Sequence, residues 1–296
     1  MIATWILLTQ LTAAPMMSTE CGVEGRERAN VWERAKHPEL RHYCDLLASG
    51  AAKLASGGAM AREVVGIAEE ADKVLAGRAA PLVLRGRALT RLGRFGEAYD
   101  AFTEAKKRDV NAVEDPVALL SYARSAARSN HSDDGRTAFR ALLPRASALP
   151  ASERGLVYLE AGLLAMARGA AGLDDAIVAL RQARREAQDY AASLSTLALA
   201  LALDRAGNKD EARAVLDERA RNDAKGVTND NRARDALGPL SSEADAMAGY
   251  GLEGTDALLA KAAWTRYVDG APGGAWAEHA KAHLGTLTGA KPPKPK

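Results

Sequence analysis

Residues 84–102 read LRGRALTRLGRFGEAYDAF, and their small residues are regularly placed. Gly86, Gly93 and Ala98 alternate with the larger apolar residues Leu89, Leu92, Phe95 and Phe102. Helical spacing puts Gly86 and Leu89 on one face of a first helix, and Ala98 and Phe102 on one face of a second. Gly93 falls between the two faces, where a tight turn needs a backbone free to adopt positive φ. The stretch therefore predicts two helices folded against each other, with small side chains where they meet.

Composition points the same way. The chain has 296 residues, 47% of them hydrophobic but only 5% aromatic, so its core must be built mostly from Ala, Leu and Val. Ala and Leu rank among the best helix formers, and small residues suit closely spaced helices. Forty Lys and Arg against 38 Asp and Glu give a net charge of +2, too weak a basic excess to indicate a nucleic-acid binder. The closing KPPKPK (291–296) is Pro-rich and basic, and residues 289–296 are predicted to be a disordered tail.

Residues 1–20 contain an apolar run, Ile2 to Ala14, that is too short to span a bilayer and has the character of a secretory signal. The chain has two cysteines, Cys21 and Cys44, an even count that fits one bridge between an N-terminal arm (21–44) and the first helix. Export to a periplasmic or secreted location and formation of that bridge are expected together; a cytoplasmic protein would keep both thiols.

The spacing around Gly86 returns along the chain. Counting from Ala79, the key residues are Gly86, Leu89, Gly93, Phe95, Ala98, Phe102 and Ala105. Related patterns start at Asp45, Pro116, Gly155, Ser193 and Ser241. This resembles the tetratricopeptide repeat, a helix–turn–helix unit of about 34 residues. The resemblance implies an all-α superhelix over residues 45–288, with about six helical hairpins and a capping helix in GGAWAEHAKAHLGTL (273–287). The polar RNDAKGVTNDNRARDALGP (221–239) reads as a loop between the last two units.

In this family, certain positions of each first helix line a concave, segment-binding face. The resemblance places Arg87 and Arg91 there from one unit, Arg124 and Arg128 from the next, and Arg205 further on. Leu159 and Leu163 take equivalent positions in between and suggest an apolar shelf. Converging guanidiniums suit carboxylates, so the expected partner is a protein segment, an acidic one fitting best. The Asn and Lys of the family's carboxylate clamp are missing, so clamp-type chaperone binding is not implied.

Nothing in the sequence matches a phosphate-binding loop, a nucleophile elbow or a zinc-protease motif, and no cofactor is expected. His279 and His283 are spaced i, i+4 on the capping helix, as a metal pair would be, but no third ligand lies nearby in the chain and no metal is assigned. The sequence therefore predicts a non-enzymatic binding scaffold without an integral membrane segment. An exported cell-envelope assembly component is the alternative, and an enzyme on a helical-repeat frame is a more distant one.

Overall fold

A computed structural model describes Cys21, residues 38–229 and residues 241–289. The apolar run of residues 1–20, the tail after Gly289 and residues 230–240 lie outside the described residues. The fold is all-α, with no strand among the described residues. The chain divides into two compact units, residues 1–118 and 119–296.

Unit 1 contains α1 (Pro38–Ser56), α2 (Ala61–Val74), α3 (Ala80–Arg91) and α4 (Phe95–Arg108), each packed on the next. The opening stretch behaves as its spacing requires. A Cβ placed on Gly86 would sit 2.9 Å from the Phe102 ring, so glycine is what lets α3 and α4 close. Gly93 has φ 73°, and the following Arg94 N–H donates back to Leu89 O at 2.9 Å. That bond satisfies a carbonyl at the end of α3 that would otherwise lack a partner. The α1–α3 core holds Leu54, Val64, Ala68, Leu84 and Ala88. Beside it, Cys21 and Cys44 form a disulfide with Cα atoms 5.6 Å apart, buried with Tyr43 and Ala71. At the end of the unit, Asp115 accepts from the backbone N–H groups of Val117 and Ala118 and so caps α5 (Pro116–Arg128).

Unit 2 continues from Leu119 along α5 through α6 (Ser132–Leu142), a 3₁₀ segment (Leu143–Ala148), α7 (Ala151–Met166), α8 (Leu173–Glu186), α9 (Asp189–Arg205) and α10 (Lys209–Val215). It then runs through α11 (Glu218–Asn229), α12 (Ser241–Leu252), α13 (Ala257–Gly270) and α14 (Ala277–Leu287). The same two devices recur. Gly162 of α7 faces Leu180 of α8, where an added Cβ would lie 2.6 Å away, and Gly249 of α12 meets the Trp264 ring of α13 at 2.8 Å. At the α5–α6 turn the left-handed residue is Asn130 (φ 66°), the one non-glycine residue with positive φ among those described. Asparagine tolerates that conformation because its side chain is short and polar.

The stretch 221–239 departs from its loop reading, because residues 221–229 belong to helix α11. Asp217 Oδ1 caps this helix by accepting from Ala220 N–H at 2.6 Å, and Ala220 and Ala224 are buried. A Cβ on Gly251 would lie 2.9 Å from Ala224 Cβ, so α11 packs directly on α12. The Asn and Asp content argues for a loop only through weak local propensity, and two buried alanines outweigh it. The helix before it, α10, is only seven residues long, and Leu216 lies just past its end in extended backbone.

Candidate functional site

The arginines expected to line one basic face have different surroundings. In unit 1, Arg87 is half-buried on α3 and Arg91 is exposed one turn later. Burial and the Arg91 charge push the Arg87 pKa down, while Asp115 acts the other way. In unit 2, Arg124 already has two carboxylates: its Nε lies 2.8 Å from Glu160 Oε2 and its Nη2 2.8 Å from Glu153 Oε2. Burial opposes the Arg124 charge, yet the two glutamates outweigh it and hold the pKa above the usual arginine value. Arg128 approaches the same Glu160 at 3.6 Å.

Two further expectations are corrected outright. Leu159 and Leu163 are buried in the unit 2 core and offer no apolar shelf, because the face of α7 that carries them packs on α8 and α9. The Arg205 side chain is fully enclosed. It donates to Glu243 Oε2 at 2.7 Å and to the Tyr267 hydroxyl at 3.3 Å, and its guanidinium lies 4.9 Å from the Trp276 ring centre. Burial and Glu243 together push the Tyr267 hydroxyl up to about 12. Arg205 therefore ties the fold together and has no guanidinium face to present to a partner.

An open cleft of about 510 Å³ lies elsewhere in unit 2, between α6, the 3₁₀ segment, α7 and α8. Its apolar lining includes Phe139, Leu143, Tyr158 and Val178, and Val178 is 69% exposed. Arg136, Arg140, Arg168 and Arg185 also line it, against two carboxylates, Asp174 and Asp175. Arg140 reaches Asp175 at 3.4 Å with both groups exposed, an interaction that solvent screens heavily. Arg136 contacts Asp133 within its own helix, and Arg185 donates to Gln182. Partial burial, then the charges of Arg168 and Arg140, push the Arg136 pKa down. The sequence does contain a local signal for it: Arg136 and Arg140 are i, i+4 on α6, and Val178 is an apolar residue on a polar face of α8.

A second constellation lies at the C-terminal end of unit 2. The α14 residues His279 and His283 both point their Nε2 atoms at Oδ2 of the buried Asp204, at 2.7 and 2.9 Å. His283 Nδ1 lies 2.7 Å from Glu253 Oε1, which also accepts from the Trp264 indole N–H at 2.7 Å. The His283 ring stacks on Trp264 with centres 4.8 Å apart. Burial alone would lower the His283 pKa, but Asp204 and Glu253 prevail and raise it to about 9. His279 moves down, chiefly through burial, and the carboxyl of Asp204 is held well below its usual range by the two imidazoles despite its own burial. The missing third group thus comes from 75 residues upstream of His279, out of reach of any local spacing rule. Asp204, His279 and His283 are the described residues whose donor atoms converge closely enough to hold a metal ion.

Among the described residues no helix is long and apolar enough to cross a membrane. Comparison with known protein families finds no match, and comparison with curated proteins finds no relative.

Proposed function

We propose that the chain is a tetratricopeptide-like binding scaffold rather than an enzyme, and that unit 2 takes an acidic peptide segment in the cleft between α6, α7 and α8. The observation that carries this reading is the cleft itself: an apolar lining with Val178 exposed, flanked by four arginines, with Asp174 and Asp175 as the carboxylates that line it and Asp175 held only by an exposed pair with Arg140. Elsewhere in unit 2 the expected arginines are already matched by Glu153, Glu160 or Glu243. A segment with leucine or phenylalanine between glutamates would cover the apolar lining and satisfy the guanidinium forks. Helices hold the cleft walls, so the receptor gives up little conformational freedom on binding.

The test uses labelled synthetic peptides in which glutamate alternates with leucine and phenylalanine, with lysine-for-glutamate versions as controls. Anisotropy should show saturable, salt-sensitive binding of the acidic peptides alone. The double substitution Arg140→Glu with Arg168→Glu should weaken binding by roughly tenfold or more. Equal binding by both proteins, or preference for the lysine peptides, rejects the assignment.

We place the scaffold in an oxidising compartment, with a role in cell-envelope assembly as the variant of this reading. The buried Cys21–Cys44 bridge supports that placement, since such a bridge persists where thiols are not kept reduced.

A further inference from the structure

We propose that Asp204, His279 and His283 form a binding site for a divalent transition-metal ion of the zinc type, and that the ion pins α14 to α9. Two imidazoles and one carboxylate are a donor set such ions favour, and they leave a fourth position for water. The three donor atoms lie within 4.8 Å of one another, while the Asp204 oxygen is 2.7 and 2.9 Å from the two ring nitrogens. A tetrahedral ion with bonds near 2.0–2.1 Å needs donors about 3.4 Å apart, longer than the two contacts to Asp204 and inside the 4.8 Å within which all three atoms lie. Opening the two short contacts by about 0.5–0.7 Å would admit the ion.

The surroundings have the features that orient a metal ligand. Glu253 faces the outer nitrogen of His283, and the Trp264 indole N–H holds Glu253 in turn, an outer-shell carboxylate of the kind that fixes ring orientation. Stacking on Trp264 locks the His283 plane. Charge also fits. Arg205, the nearest buried cation, is already matched by Glu243. Among the described residues, Asp204 and Glu253 form ion pairs only with these histidines. With both histidines bound to the ion as neutral imidazoles, the carboxylates of Asp204 and Glu253 match a doubly charged cation. Both histidine side chains keep some solvent exposure, 19% and 16%, so an ion can reach them.

Cobalt(II) and zinc(II) added to the full-length chain are the probes. Cobalt should saturate at a single equivalent with the visible absorption of a tetrahedral nitrogen–oxygen site, and zinc should displace it. His283→Gln and Asp204→Asn should each lower affinity by about tenfold or more, and Glu253→Gln should do so through lost ring orientation and lost negative charge, while His131→Gln should change nothing. X-ray absorption of the zinc-loaded native chain does not depend on any variant folding. It should show two imidazoles with zinc–nitrogen distances of about 2.0–2.1 Å. No saturable uptake, a zinc shell with a single imidazole, or undiminished binding by His283→Gln that is lost in His131→Gln would each overturn the site.

Discussion

Gly162 and Gly66 are both helical glycines, yet their environments predict opposite effects. A Cβ on Gly162 would meet the Leu180 side chain at 2.6 Å, whereas nothing lies within 4 Å of one on Gly66 in the middle of α2. Gly162→Val should therefore destabilise unit 2 by about 1–3 kcal/mol through overpacking. Gly66→Ala should stabilise unit 1 by about 0.5–1 kcal/mol, by relieving a helix-interior glycine. Urea unfolding followed by circular dichroism reads both, and equal effects at the two sites would show that helix closeness does not depend on these residues. The contact glycines were legible in the sequence because their meaning is steric and local. The roles of Arg205 and Leu159 were not, since which face of a helix points inward is set by neighbours contributed from elsewhere in the chain. Arg205 meets Glu243 and Tyr267, 38 and 62 residues away, and no spacing within α9 announces either. Asp204 and its histidines pose the same problem over 75 and 79 residues.

Among the helices, α11 and α14 are held by residues distant in the chain: Ala224 meets Gly251, and His279 meets Asp204. Most hairpins were readable from the chain because each is built from a small-residue contact and a turn that tolerates positive φ. Asn130 and Gly207 take the left-handed conformation that Gly93 takes in unit 1, each followed by the same backbone bond to a residue five positions earlier. The segment containing α11 was not, because its helix forms from Ala220 and Ala224 packing under α12 while its exposed residues have loop-like composition. Ala224→Pro should cost about 3 kcal/mol or more by breaking a helical hydrogen bond and clashing with the preceding turn. Amide exchange should then rise across residues 218–229 and in the facing part of α12. If exchange in residues 218–229 is already fast in the native protein, the helix assignment is wrong. Trp276, just ahead of α14, donates to Met166 O at 2.8 Å, and α14 packs on α13.

For the whole molecule, each unit supplies its own test. The Cys21–Cys44 bridge lies wholly within unit 1 and closes a loop across 23 residues, worth about 3 kcal/mol if unstrained. Native mass measurement should find no free thiol, and reduction should lower the stability of unit 1 by about that amount; two titratable thiols in native protein would remove the disulfide and the oxidising compartment with it. In unit 2 the question is where an acidic segment docks. The most direct measurement is photo-crosslinking of the glutamate-rich peptide to the full chain, followed by mapping of the labelled residues. Labels concentrated on α6, the 3₁₀ segment, α7 and α8, and lost with Arg140→Glu and Arg168→Glu, are the predicted result. Labels clustered around Arg87 and Arg91, or scattered evenly over the chain, would contradict it.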